Sequence, residues 1–224
     1  MHPRDACNIA TVATNTRPSL TRWSGLSLLA GGILLAIHYA THPPGENGAE
    51  FVLSPLWIPS HIIQMPAMLL ILFGLIGWYA RQMHRSGSLA LVAFVFAVVA
   101  CVFGVVTPTW AVIVQWELTT VAPSLAALDG PLLASPFARS VLAITAISLA
   151  IGFILVAVVT IRDRTLPRPA GWLIIAGLVI APAFVVSQAV AQIGGVITSL
   201  GLTWLGHALW SRPRPTVDPV IAPA

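Results

Sequence analysis

Three histidines near the ends of two long apolar runs carry the clearest chemical potential in this chain. His38 and His42 are four residues apart, so they share one face of any helix that contains both. His61 opens the next apolar run after a short proline-containing segment, which predicts a similar depth on a neighbouring helix. Neutral imidazoles at one depth on two helices can bind a transition metal ion or serve as axial ligands of a haem. His38, His42 and His61 are therefore candidate metal ligands.

Amide and carboxylate side chains accompany these histidines at the same end of the apolar runs. Together they predict an outward-facing polar pocket, whose candidate ligand-binding residues are His38, His61, Gln64, Gln115, Glu117, Gln188 and Gln192. Three interpretations stay open: histidines bonded only to loop carbonyls, headgroups and water; a pocket for an organic or lipid-like ligand; and a metal or haem site. Convergence of the three imidazoles within a few ångströms would favour the metal site.

Sequence motifs of common enzymes are missing. The chain contains no Gly-x-Ser-x-Gly, His-Glu-x-x-His or Cys-x-x-Cys motif and no glycine loop for phosphate. The neighbours Ser60 and His61 are not a catalytic dyad, because adjacent side chains on a helix point about 100° apart. The sequence therefore favours a protein that is not an enzyme and that needs no cofactor.

The composition places these residues in a membrane protein. Hydrophobic residues make up 57% of the 224 residues and charged residues only 8%, whereas soluble domains carry about 25% charged residues. The mean hydropathy is +0.90. Apolar runs of about 18 or more residues have the length that crosses about 30 Å of hydrocarbon. We predict an all-α transmembrane helical bundle with six spans, at residues 23–39, 61–79, 88–106, 139–161, 170–188 and 193–210.

All eleven basic residues are arginines, and their positions predict the topology. With six spans, ten of the eleven fall on one side of the membrane, and Arg139 is the exception. A seventh span across the interrupted apolar stretch at residues 109–128 would divide the arginines six against five. Because short arginine-rich loops stay in the cytoplasm, we predict six spans, both termini cytoplasmic and an outer excursion at residues 107–138.

The regions outside the spans are short. Residues 1–22 are predicted to be a disordered cytosolic tail, residues 23–210 the transmembrane domain and residues 211–224 a proline-rich cytosolic tail. The sequence pI of about 10.0 reflects arginines that flank spans and face anionic lipid, so we expect no nucleic-acid partner. Cys7 lies in the inner tail and Cys101 within a span, which excludes an extracellular disulfide framework.

One resemblance rests on three sequence segments. HPPG at residues 42–45, SPLWIPSH at 54–61 and LFGLIGWYAR at 72–81 resemble a group of uncharacterised bacterial integral membrane proteins with about six spans. The likeness is best over residues 25–85. It implies the six-span topology and a bacterial cytoplasmic-membrane location, and it brings no established activity. It also marks Trp57 and His61 as positions to test.

Two function classes follow from the sequence. The favoured one is a non-enzymatic membrane module that binds a lipid-like or small apolar ligand, or a partner membrane protein, at the outward-facing pocket. The alternative is a metal- or haem-binding redox protein that uses the three histidines. Metal content and an optical spectrum distinguish the two classes.

Overall fold

The computed structural model describes residues 3–43, 49–126, 130–182 and 187–211, and within these ranges every regular element is a helix. In chain order they are α1 (Pro3–Thr41), α2 (Ala49–Val52), α3 (Trp57–Trp110), a π-helix (Ala111–Gln115), α4 (Trp116–Val121), α5 (Pro123–Ala126), α6 (Pro136–Asp163), α7 (Arg168–Ile180) and α8 (Gln188–Ser211). Four helical stretches in the described ranges are long and apolar enough to cross a membrane: Leu20–Thr41, Trp57–Val121, Pro136–Asp163 and Gln188–Ser211. The prediction of an all-α protein with membrane-spanning helices is confirmed at this level.

Helix α3 is a hairpin of two arms rather than one rod. Its 54 residues would extend about 80 Å as a straight helix, far beyond the thickness of a bilayer. The backbone reverses at Gly87, whose φ of 48° and ψ of −123° suit glycine. The rings of Tyr79 and Phe94 therefore stack 4.8 Å apart across the two arms, residues 57–86 and 88–110. The first and last residues of α3 consequently lie at the same end of the bundle.

Glycines allow α1 to pack closely against two neighbouring helices. Gly206 of α8 lies against the backbone of Leu29, and Gly74 of α3 lies against Leu28. A Cβ atom at either glycine would overlap these α1 atoms, so the close approach requires glycine. Such contacts let helices associate in lipid, where no hydrophobic drive operates between them. Helix α1 is thereby fixed between the first arm of α3 and α8.

Polar contacts close the bundle at the end where the α3 hairpin turns. Trp78 Nε1 donates to Thr160 Oγ1 over 3.1 Å, and Ser86 Oγ donates to Asp163 Oδ1 over 2.7 Å. The first bond joins the first arm of α3 to the last turns of α6, and the second joins the hairpin turn to the end of α6. We call this end of the bundle the arginine end, because it carries Arg22, Arg81, Arg85, Arg162, Arg164 and Arg168. Arg139, near the start of α6, lies at the opposite end.

The start of α1 and the end of α7 are among the boundaries that differ from the sequence prediction. Helix α1 begins at Pro3, within the stretch of residues 1–22 for which a disordered cytosolic tail stays a prediction. A polar composition does not prevent intrahelical hydrogen bonds, and proline needs no backbone donor at a first helical position. The predicted fifth span, residues 170–188, is wrong at its end, because α7 stops at Ile180 and Gln188 begins α8. Residues 212–224, which hold nearly all of the predicted proline-rich tail, lie outside the described ranges.

Candidate functional site

The three candidate histidines meet at the end of the bundle opposite the arginine end. Their ring centroids are separated by 5.4 Å for His38 and His42, 5.7 Å for His38 and His61, and 5.1 Å for His42 and His61. His38 stands in the last turn of α1, and His61 stands in the first turns of α3. The structure thus brings together side chains that the sequence placed on two neighbouring helices. We call these three residues the histidine cluster.

Each imidazole of the histidine cluster is held by a backbone carbonyl. Nδ1 lies 2.9 Å from Ser60 O in His38, 3.3 Å from Pro43 O in His42 and 2.8 Å from Trp57 O in His61. A carbonyl oxygen only accepts, so Nδ1 carries the hydrogen in all three rings. In the neutral imidazoles the lone pair is therefore on Nε2. Among the described residues, none forms a hydrogen bond with these Nε2 atoms.

The surroundings of His42, just beyond the end of α1, favour its neutral form. Burial lowers the pKa of His42 from 6.5 to about 4, and the neighbouring His61 lowers it further than burial alone would. The hydrogen bond to Pro43 O opposes this change. Aromatic rings cover the imidazole, with the centroids of Phe51 and Trp57 at 5.4 Å and 5.6 Å. His42 is consequently uncharged at neutral pH.

Ring convergence does not by itself produce a metal centre. Among the described residues, no group of three or more His, Cys, Asp and Glu side chains is arranged to hold a metal ion. Each Nδ1 is hydrogen-bonded to a different backbone oxygen, so only the three Nε2 atoms are available as ligands. Metal or haem binding at His38, His42 and His61 stays a prediction.

A cavity of about 540 Å³ opens beside the histidine cluster. It lies between the start of α3, the end of the second α3 arm, the π-helix and the start of α6. Its wall is mainly apolar and includes Phe51, Phe103, Trp110, Leu132, Phe137 and Val141. Its volume falls within the range of about 300–1,000 Å³ that is typical of small-molecule sites. The cavity therefore has the size and chemistry for an apolar ligand.

Trp57 joins the histidine cluster to the cavity wall. Its side chain is 4% exposed, and its ring centroid lies 4.2 Å from that of His61. Trp57 Nε1 donates to Ala111 O over 3.2 Å, and the backbone N–H of Trp116 donates to the same oxygen. This oxygen belongs to the first residue of the π-helix, a widened turn that often occurs at functional sites. Trp57 thus fixes the position of the wall formed by the π-helix.

The predicted pocket residues separate into distinct groups in the structure. His61, Gln64 and Gln115 line the cavity. Gln192 Nε2 instead donates to His42 O over 3.0 Å and to Pro43 O over 3.3 Å, which ties α8 to the end of α1. Like Gln192, three further predicted residues are absent from the cavity wall: His38 lies in the histidine cluster, Glu117 is exposed in the first turn of α4, and Gln188 begins α8.

Most of the cavity wall was missed by sequence reasoning. Phe103, Val106, Phe137 and Val141 line the cavity, yet their side chains are of the same types as those that face lipid. A polar residue inside an apolar run signals a site, whereas an apolar residue in that run carries no such signal. Pro108 and Gln115 interrupt the apolar sequence after the second arm of α3, and both line the cavity. They were the sequence features that could have indicated a site there.

Comparison with known proteins adds no assignment to this geometry. The resemblance to uncharacterised bacterial membrane proteins stays an expectation. No family model matches the chain, and no curated protein or solved structure shows significant similarity to it.

Proposed function

We propose that the chain crosses the bacterial cytoplasmic membrane six times, with both termini in the cytosol. The crossings are α1, the two arms of α3, α6, α7 and α8. The antiparallel arms of α3 and the grouping of arginines at one end of the bundle support this map. Helix α7 has 13 residues and covers about 20 Å, so its crossing is the shortest. In this map the histidine cluster and the cavity lie at the outer face.

We propose further that the protein is a non-enzymatic membrane module whose cavity binds a lipid-like or other small apolar molecule. The observation that carries this proposal is the cavity of about 540 Å³, whose wall is apolar apart from a few polar side chains. Apolar pockets with few polar groups are typical of ligand sites, because burial supplies affinity and the polar groups supply orientation. The cavity lies at the bundle end that faces the outer leaflet, from which such a molecule would enter.

A cavity-filling substitution tests the ligand proposal. Ala138 lines the cavity in the first turn of α6, whereas Ala143 on the same helix is exposed and outside the cavity wall. We expect Ala138→Trp to lower the amount of lipid or apolar compound that copurifies with the protein by about tenfold or more, because the indole occupies the ligand volume. Mass spectrometry of organic extracts from purified protein measures this amount.

The matched control is Ala143→Trp, which adds the same side chain where it meets lipid. We expect this variant to retain the copurified molecules at the level of the unaltered protein. Equal retention by both variants, or unaltered protein that carries no such molecule, would contradict ligand binding in the cavity. Capture of a membrane protein that Ala138→Trp abolishes would instead favour a protein partner at this site.

A second candidate function, metal or haem binding, is favoured by the convergence of the three imidazoles. Neutral imidazole is a ligand for zinc, copper, iron and nickel. If this function holds, purified protein will contain a metal at about one equivalent or show a Soret band, and His61→Ala will remove it. Elemental analysis and an optical spectrum measure both. Metal-free protein without a Soret band would exclude this function.

A further inference from the structure

We propose that the ligand of the cavity carries a hydroxyl group, as an alcohol or a phenol does, and that this group donates a hydrogen bond to Nε2 of His61. The inference rests on the proposed function, since it names the chemical class of the molecule that the cavity takes. It follows from the side chains on the polar part of the wall. The side chains that carry the argument are His61, Gln64 and Gln115. The wall also contains the hydroxyl groups of Thr107, Thr119 and Ser135 and the indole N–H of Trp110.

The first step is the tautomer of His61. Its Nδ1 lies 2.8 Å from the carbonyl oxygen of Trp57, one helical turn earlier. That oxygen has no hydrogen to give, so Nδ1 must be the donor. Ser60 Oγ, 3.4 Å from the same nitrogen, donates its own hydrogen to Trp57 O over 2.9 Å. The backbone of α3 therefore fixes His61 with its hydrogen on Nδ1.

The second step is the polar atom that this tautomer leaves for a ligand. The neutral imidazole of His61 presents an Nε2 lone pair, and no residue in the described ranges donates to it. An atom that only accepts is satisfied by an O–H or N–H group and not by an ether, ester or ketone oxygen. A ligand without a donor would leave this acceptor unpaired at the wall, which weakens binding.

The third step selects a hydroxyl group among the possible donors. Gln64 is one turn from His61 on the same helix, and Gln115 lines the same cavity from the π-helix. Within the described ranges neither amide has a hydrogen-bond partner. An amide NH₂ group donates, so it suits the lone pairs of an oxygen that has already given its hydrogen to His61. A hydroxyl group satisfies both requirements with one atom, while the apolar wall takes its hydrocarbon part.

The test compares an alcohol with its methyl ether, in which a methyl group replaces the hydroxyl hydrogen and the hydrogen-bond donor is lost. Radiolabelled 1-decanol and its methyl ether are titrated onto the full-length protein in nanodiscs, with empty nanodiscs as background. The measurements are made at about pH 8, where an imidazole with the ordinary pKa of about 6.5 is neutral. We expect 1-decanol to bind about tenfold more tightly than the ether, the value of one ordinary hydrogen bond.

Variants assign this preference to His61. We expect His61→Phe to bind the ether as the unaltered protein does and to lose the preference for the alcohol. His84→Phe, an exposed histidine at the arginine end, serves as the matched control and is expected to keep the preference. Circular dichroism and size-exclusion chromatography establish folding, and if His61→Phe does not fold, the comparison of alcohol with ether on unaltered protein decides.

The outcomes separate this inference from the proposed function. Equal binding of alcohol and ether, both lowered by Ala138→Trp, would overturn the inference and leave the proposed function standing. A preference for the alcohol that persists in folded His61→Phe would overturn the assignment to His61. Binding of neither probe above the background of empty nanodiscs would contradict the proposed function together with the inference.

Discussion

Trp57→Ala is expected to lower the free energy of unfolding by about 3–5 kcal/mol, the usual cost of truncating a buried tryptophan. The side chain is 4% exposed and packs on Phe51 at 5.0 Å and on His61 at 4.2 Å between ring centroids. Its removal also leaves Ala111 O without the indole donor that fixes the π-helix. We therefore expect the same variant to lose the molecules that occupy the cavity. Thermal unfolding in detergent and mass spectrometry of copurified compounds measure the two effects.

Two matched variants show whether the effect of Trp57→Ala comes from the lost packing at this position, from the lost hydrogen bond, or from the removal of any tryptophan. Trp57→Phe keeps a large ring but removes the indole N–H, and we expect it to cost about 1 kcal/mol, the value of one hydrogen bond. Trp172 is 58% exposed on α7, so Trp172→Ala is expected to change stability and ligand content little. A Trp57→Ala protein as stable as Trp172→Ala would show that Trp57 does not support the cavity wall.

The helices were predictable because the physical signal for them is strong. A run such as residues 88–106, which contains no charged residue, cannot be placed in water and satisfies its backbone groups in lipid only as a helix. The hairpin at Gly87 was also predictable. Arg81 and Arg85 follow one apolar run and precede the next, so the chain is expected to turn between them at one side of the membrane. The end of α7 was not predictable in this way, because the sequence stays apolar over residues 181–186, beyond the last residue of α7, Ile180.

The histidine cluster was predictable in position but not in detail. The spacing of His38 and His42 fixed their shared helix face, and the short connection placed His61 nearby. The sequence could not give the direction of each ring nitrogen. That direction depends on three backbone oxygens, those of Ser60, Pro43 and Trp57, whose positions are set by how α1 meets α3. The tautomers are therefore a property of the packed structure.

The cavity could be predicted only in part. Gln64 and Gln115 were identified because a polar side chain within an apolar run is costly in the membrane and therefore indicates a functional site. The volume beside them arises where the π-helix, α4 and the start of α6 meet, and such a space depends on three-dimensional packing. Glu117 is only two residues from Gln115, yet it is exposed and does not line the cavity.

The position of the cavity bears on the number of membrane crossings. Residues near the start of α3, such as Trp57 and His61, share one cavity with Phe137 and Val141 near the start of α6. Both helices therefore begin at the same end of the bundle. The second arm of α3 ends and α6 begins at that end, which is compatible with the proposed outer excursion at residues 107–138. A seventh crossing within this stretch would place the two helix starts on opposite faces of the membrane.

Labelling of single cysteines is expected to give an all-or-none result that decides between these maps. In a background of Cys7→Ser and Cys101→Ala, Ser140→Cys near the start of α6 and Ser211→Cys at the end of α8 both replace exposed serines. With six crossings, a membrane-impermeant maleimide modifies Ser140→Cys in intact cells and modifies Ser211→Cys only after lysis. The physical reason for this expectation is that short arginine-rich loops generally stay in the cytoplasm.

A third exposed position makes the experiment decisive. Ser88→Cys lies at the hairpin turn of α3, before the disputed stretch, and is expected to be protected in intact cells in either map. With seven crossings, Ser140→Cys becomes protected and Ser211→Cys becomes reactive while Ser88→Cys does not change. That exchange would separate His61 from Val141 by the thickness of the bilayer, so it would remove the cavity between them and the ligand proposal that depends on it. Protection of Ser88→Cys and Ser211→Cys with labelling of Ser140→Cys is the pattern we expect.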